Sequence, residues 1–173
     1  MGHPRLTSRQ VFDEQAQYVF RVLRYLGIRD ADLPDVCQEV FITVHRKLDG
    51  FEGRSSVRTW LYRICQRAAS DQRRRAHVRH EVVTDMVSEE GRPSPSLDTR
   101  SRLEARSTLQ FALAQLDDAK RDVFVLYEIE GMTMREVCNV LECALQTAYS
   151  RLHAARDIVN AALERDNNGE RHD

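Results

Sequence analysis

The stretch Asp35-Val36-Cys37-Gln38-Glu39-Val40-Phe41, with the run Arg54-Ser55-Ser56-Val57-Arg58-Thr59-Trp60-Leu61-Tyr62-Arg63-Ile64 shortly after it, decides the reading of this chain. In the first segment Val36, Val40, Phe41, Val44 and Leu48 recur at helical spacing and form one apolar face. Asp35, Gln38, Glu39, Ile42 and Arg46 fall on the opposite stripe. Charges alone on that stripe describe a solvated surface. Ile42 changes the reading, because an aliphatic side chain in the middle of a polar stripe has no core to enter, and a protein-protein contact is expected there.

The second segment opens another helix, from about Val57 to Arg79, with Ser55 or Ser56 as its N-cap after the turn Asp49-Gly50-Phe51-Glu52-Gly53. Val57, Leu61, Ile64 and Ala68 are expected inward, and Arg63, Arg67 and Arg74 lie within about 40° of one another outward. Trp60 falls on the border between the faces. Residues 54 to 80 hold eight arginines against the single carboxylate Asp71, although the formal net charge of the chain is only -1. Guanidinium groups neutralise phosphates, and a marginal aromatic can stack on an unpaired base for roughly 1–3 kcal/mol. The surface suits single-stranded or opening DNA.

Working outward, Val11, Phe12, Gln15, Val19, Val22, Leu23 and Leu26 mark an earlier helix closed by Gly27, and Asp32 and Pro34 start the one containing Asp35. Beyond the arginine helix, residues 81 to 100 contain five acids, two arginines and the sequence Gly91-Arg92-Pro93-Ser94-Pro95-Ser96, and no apolar face can be drawn through them. A flexible acidic linker is expected. A second helical unit follows, with Leu103, Leu109, Leu113 and Leu116 on its first helix and Asp117 capping the next, which packs Val123, Phe124 and Tyr127. Thr133 and Glu136 have the spacing of a capping box, with Val137, Cys138 and Leu141 inward behind it. A short turn then leads to a helix from about Leu145, with Ala148, Leu152, Ala155 and Val159 inward. Two short helices joined this way suggest a helix-turn-helix. Its outward residues Gln146, Thr147, Tyr149, Ser150 and His153 include side chains that hydrogen-bond base edges, but residues 133 to 157 balance Arg135, Arg151 and Arg156 against Glu136, Glu142 and Asp157. Weak duplex binding by this unit alone is expected.

Other classes of function fit poorly. His77, His80 and Glu81 at one end of an arginine helix offer too few anionic ligands for a metal shell, and neither a phosphate-cradling glycine loop nor a nucleophile elbow is present. No catalytic residue, metal or cofactor is expected. Cys37, Cys65, Cys138 and Cys143 form no C-x-x-C pair and read as reduced core thiols. No apolar run approaches the roughly 20 residues of a membrane span, so a cytoplasmic chain without membrane insertion is expected.

Together these motifs resemble the extracytoplasmic-function sigma factors of bacterial RNA polymerase. Asp35 through Phe41 is similar to that family's region 2.2, Phe51 through Ile64 to its regions 2.3 and 2.4, and Leu116 through Arg156 to region 4, notably at Glu130-Gly131-Met132-Thr133 and Ser150-Arg151-Leu152-His153. The resemblance implies an all-α chain with region 2 in residues 1–80, a linker in 81–100, region 4 with its helix-turn-helix in 101–165 and a disordered tail in 166–173. It further implies that Asp35, Gln38, Glu39, Ile42 and Arg46 grip the β′ clamp helices of the core polymerase, with region 4 near the β flap. Phe51, Arg54, Ser55, Ser56 and Arg58 then lie where family members hold a flipped base of the promoter −10 element, and Trp60, Arg63, Arg67 and Arg74 along the adjoining strand-separation surface. Gln146, Thr147, Tyr149, Ser150, Arg151 and His153 occupy the helix that reads the −35 element, and an anti-sigma protein is the implied inhibitor. The alternative is a helix-turn-helix regulator, or sigma-like adaptor, that does not initiate transcription.

This chain departs from the family pattern in several places. Arg67 stands where Asn is common, Glu142 where a turn glycine is usual, Ala144 where Ser or Thr caps the recognition helix, and Tyr149 and Ala154 where Lys or Arg is common.

Overall fold

The computed structural model describes the backbone of residues 6–80 and 97–169 and the side chains of 6–76 and 105–165. Among the described residues there are seven α-helices and no strand, and the chain divides into two compact units, 1–79 and 80–173.

In the first unit, α1 spans Ser8–Tyr25. Thr7 and Gln10 close a capping box in which the Thr7 hydroxyl accepts from the Gln10 amide and the Gln10 side chain accepts from the Thr7 amide at 2.9 Å. At the other end Gly27, at φ +87°, lets its own amide donate to the Arg24 carbonyl and that of Ile28 to the Leu23 carbonyl. This is a Schellman stop, and Leu23 and Ile28, the residues it brings together, are both buried. Helix α2 spans Leu33–Lys47 with Pro34 in its first turn, where a missing amide donor costs nothing, and ends in a 3-10 turn, Leu48–Gly50. Helix α3 spans Val57–His80. Of the two serines that precede it, Ser56 is the cap: its hydroxyl accepts from the Thr59 amide at 3.1 Å.

The core of this unit joins Val11, Val19, Val22 and Leu23 of α1 to Val36, Val40 and Val44 of α2 and to Leu61, Tyr62, Cys65 and Ala69 of α3. Phe12 departs from expectation: it is 48% exposed and meets Phe41, itself half-buried, edge-on at 4.8 Å. Gln15 and Leu48 are also only half-buried. In α3 Val57 and Ala68 are half-buried, while Tyr62, Cys65 and Ala69 are buried, which rotates the inward face by about 60° from the expected stripe. Two backbone anchors account for the rotation. The Tyr18 hydroxyl donates to the Arg58 carbonyl at 3.3 Å, and Arg73 donates to the Leu26 carbonyl at 2.6 Å, so α3 is tied to α1 near its start and to the residue that closes α1 farther along.

In the second unit, α4 spans Leu97–Ala114, beginning within the stretch read as linker. Residues 81–96 and the side chain of Leu103 lie outside the described residues. Helix α5, Asp118–Phe124, is capped by Asp117, whose carboxylate accepts from the Lys120 amide at 2.9 Å, and continues into a π-helical turn, Val125–Ile129. Helix α6 spans Met134–Leu141, and α7 spans Leu145–Gly169, running into the stretch read as a tail. Helices α4, α5 and α6 all pack against α7. The expected Leu113, Leu116, Val123, Phe124 and Val137 are buried, joined by Val125, Leu126, Met134 and Val140. Cys138, Leu141, Leu109 and Tyr127 are half-buried rather than enclosed. Arg121 is an unexpected core residue, 8% exposed, donating to the Leu113 carbonyl at 3.0 Å and the Leu116 carbonyl at 2.5 Å while pairing with Asp118 at 3.0 Å. It adds a second donor to the Leu113 carbonyl, which already accepts from the Leu116 amide at 3.2 Å, and supplies one to the Leu116 carbonyl just beyond α4.

Candidate nucleic-acid interface

Helix α2 presents its polar stripe as the periodicity requires. Asp35, Gln38, Glu39, Ile42 and Arg46 are all exposed, Ile42 at 44%, above the buried Val36, Val40 and Val44. Glu39 accepts from Arg75 of α3 at 2.8 Å, an ion pair that sequence spacing does not announce because 36 residues separate the partners. A groove of about 500 Å³ lies beside that pair, lined by Ile42, Arg46, Arg67 and Asp71 among others. On the other flank of α2 an apolar groove of about 470 Å³ is lined by Phe12, Phe20, Pro34, Cys37, Phe41 and Ile42. Ile42 borders both grooves. In the sequence the groove is signalled by Phe12 and Phe20, eight residues apart on α1, although helical periodicity places Phe12 on the inward face.

The loop entering α3 is shaped by Gly53 at φ +69°, in the left-handed region that favours glycine. Phe51 stacks at a tilt on Trp60, ring centroids 4.9 Å apart, which holds the indole half-buried on the border between faces. Arg54 and Ser55 are exposed, and Arg54 pairs with Glu52 at 2.5 Å. Ser56 is exposed but its hydroxyl serves the cap. Arg58 lies over the Tyr18 ring at 5.3 Å, a cation–π contact that leaves the residue exposed. Along the helix Arg67 and Arg74 are exposed, Arg74 pairing with Asp71, whereas Arg63 is half-buried with its Nε enclosed. Exposure along the arginine row is uneven: Arg63 packs against the protein, while Arg67 and Arg74 reach solvent.

In the second unit Ala148, Leu152, Ala155 and Val159 are buried and Gln146, Thr147, Tyr149, Ser150 and His153 stand exposed, with Arg151 half-buried. The turn before this helix places Glu142 at φ 52°, ψ 45°, and the Ala144 carbonyl accepts the first helical bond, from Ala148, at 3.0 Å. Arg156 is drawn away from the exposed face: it donates to Glu128 at 2.6 Å and lies over the Tyr127 ring at 5.8 Å. His153 lies 3.2 Å from Asp157. An exposed polar helix seated on a buried apolar stripe has the form of a groove-reading element, with little cationic charge of its own.

Among the described residues no group of three or more His, Cys, Asp or Glu side chains is placed to hold a metal, and the side chains of His77, His80 and Glu81 lie outside them. No helix among the described residues is long and apolar enough to cross a membrane.

These two units correspond to two known families. Sigma-70 region 2 matches residues 11–79, and Sigma-70, region 4, matches residues 106–158. The RNA polymerase sigma factor NccH of Alcaligenes xylosoxydans xylosoxydans is 28% identical over 160 residues, covering 90% of this chain and 86% of that protein. The ECF RNA polymerase sigma-E factor of Escherichia coli strain K12 is 29% identical over 152 residues, covering 83% of this chain and 78% of that one. Among solved structures, CnrH in complex with the cytosolic domain of CnrY has a TM-score of 0.66 at 25% identity and covers 92% of this chain and 88% of that one. The sigma factor RpoE from Bartonella quintana, in complex with the anti-sigma factor NepR, shares the fold with a TM-score of 0.69 at 21% identity, over 90% of this chain and 96% of that one.

A region 2 unit and a region 4 unit in this order define a dissociable promoter-specificity subunit. The chain belongs to the extracytoplasmic-function sigma factors. It is a non-enzymatic initiation factor that binds core RNA polymerase and promoter DNA.

Proposed function

We propose that the α2 stripe is the polymerase-docking surface and that the loop 51–56 and α3 hold the melted −10 element. The carrying observation is Ile42, 44% exposed between Glu39 and Arg46 on a helix whose other face buries Val36, Val40 and Val44. An apolar centre within a charged rim is the form of a protein interface rather than of a solvated surface. Asp35, Gln38 and Glu39 bind the β′ clamp helices beside it. The exposed Arg54, Ser55 and Arg58 meet the −10 strand, Arg67 and Arg74 neutralise its phosphates, and the Phe51–Trp60 pair supplies an aromatic shelf for an unstacked base. Ser56 and Arg63 hold this surface in shape from within. The 1–80 unit acts as region 2 and the 101–165 unit as region 4, with 81–100 between them as linker.

In region 4, Gln146, Thr147, Tyr149, Ser150 and His153 face the −35 major groove, with Arg151 at its edge, and the unit docks near the β flap. The low cationic charge of this helix makes −35 binding depend on polymerase docking to raise the effective concentration. An anti-sigma protein is the resting-state partner, as RpoE of Bartonella quintana is solved in complex with the anti-sigma factor NepR, and the α2 stripe is the surface we assign to it. The chain works in the cytoplasm.

Reconstituting the chain with core polymerase on a cognate promoter tests the reading. Specific initiation is expected. Replacing Asp35 and Glu39 by Arg is expected to abolish polymerase association while circular dichroism and melting stay unchanged; undiminished association of that variant rules out the docking surface.

A further inference from the structure

Cys138 and Cys143 flank the turn of the helix-turn-helix. Glu142 between them occupies the left-handed region, and the Cys143 amide donates to the Cys138 carbonyl at 3.2 Å. That bond is the long closure of a Schellman stop, which turns the side chains at its two ends toward each other. The two thiols accordingly lie on the same side of the turn, each beside the other. Both residues are half-buried, so small solutes reach them.

The other two cysteines are different. Cys37 and Cys65 are buried, and burial pushes the Cys37 thiol up to about 11 and the Cys65 thiol higher still. Thiols held protonated in a core are inert. Reactivity is therefore concentrated in the turn.

We propose that Cys138 and Cys143 form a dithiol site that hydroperoxides convert to an intramolecular disulfide, altering the approach of α7 to DNA. The Cys143 thiolate attacks one peroxide oxygen, the O–O bond breaks, and the departing oxygen takes a proton to leave as water or an alcohol. The resulting Cys143 sulfenic acid is then attacked by the Cys138 sulfur: the S–S bond forms, the S–O bond breaks, and the Cys138 proton leaves with the hydroxyl as water. Two thiols lose two electrons and the peroxide gains them. Burial and the neighbouring Cys143 raise the Cys138 thiol above its ordinary value, which suits it to be the second reactant rather than the first. A disulfide of about 2.05 Å is shorter than any contact between two thiols, so the turn must contract. Helix α7 begins at Leu145, directly after the turn, and Gln146 and Thr147 shift with it. The functional consequence rests on α7 being the −35 reader.

Mapping and transcription on the full chain test the proposal together. No Lys or Arg lies between Arg135 and Arg151, so trypsin releases both cysteines on one peptide, 136–151. The reduced chain is first shown to support −35-dependent transcription with core polymerase; a failure at this step counts against the promoter reading, not the dithiol. After hydrogen peroxide, the peptide is expected to be lighter by two hydrogen atoms, to resist alkylation and to recover with dithiothreitol, while Cys37 and Cys65 alkylate after denaturation. Transcription from the −35-dependent promoter is expected to fall several-fold, and Cys143→Ser to remove that sensitivity while retaining activity before oxidation. Independent alkylation of both thiols after peroxide overturns the proposal, as does a disulfide that leaves −35-dependent transcription unchanged.

Discussion

Glu142 holds φ 52° without being a glycine, and its Cβ pays for the turn. An L side chain in the left-handed region is destabilised by about 1 kcal/mol or more relative to glycine. Two residues on, Ala144 offers no side-chain acceptor to the first turn of α7, an absence typically worth about 1 kcal/mol. Each of Glu142→Gly and Ala144→Ser is therefore expected to stabilise the second unit by about 1 kcal/mol, a rise in its melting temperature of roughly 4–8 °C by calorimetry. Arg121 works in the opposite direction. Removing it as Arg121→Ala strands the Leu116 carbonyl, leaves the Leu113 carbonyl only its bond from the Leu116 amide, and is expected to destabilise this unit by about 2 kcal/mol in urea unfolding. At this scale the sequence was legible where the partner is near in the chain. Thr133 with Glu136, Asp117 with Lys120, and Gly27 at its helix end were readable because capping involves residues three or four apart. Arg121 was not, since nothing local distinguishes a buried guanidinium from a solvated one.

At the level of whole helices, the two caps of the second unit carry a pH dependence. Lys120 beside Asp117, and the Thr133 hydroxyl and amide on Glu136, hold both carboxyls below their ordinary values. A carboxyl depressed in the folded state stabilises fully above its unfolded value, about 4, and that stabilisation is lost as pH falls through the lower folded value. Melting of the second unit is expected to fall between about pH 5 and pH 3, and the Asp117→Asn, Glu136→Gln double variant to show a flatter profile over that window. In the first unit, Ile42→Glu tests docking without touching the core. Polymerase affinity is expected to drop at least about tenfold, a loss of about 1.4 kcal/mol, with no change in melting. The facing of α2 and α7 followed from periodicity alone, because each buries one broad apolar stripe. The facing of α3 did not: its alternating Val, Trp, Leu, Tyr and Ile admit more than one inward stripe, and the Tyr18–Arg58 and Arg73–Leu26 hydrogen bonds select among them.

For the whole molecule, a net charge of -1 says little about DNA binding, since the arginines are concentrated in 54–80 and several are engaged within the protein. Arg67 is exposed and projects beside the groove between α2 and α3. In filter-binding titrations of the polymerase–promoter complex against salt, Arg67→Ala is expected to reduce the slope of log K on log[salt] by about 1 if that residue neutralises one phosphate. An unchanged slope assigns the residue elsewhere. Sequence by itself determined the two helical units, their order, the exposed Ile42 and the polar face of α7, because helical period, caps and charge runs are local properties of the chain. Tertiary structure alone decided the rotation of α3, the Glu39–Arg75 pair, the burial of Arg121, the apolar groove at Phe12 and Phe20, and the meeting of Cys138 with Cys143. Each of these depends on which of several permissible neighbours a side chain meets, a choice made by packing and backbone closure rather than by spacing along the chain.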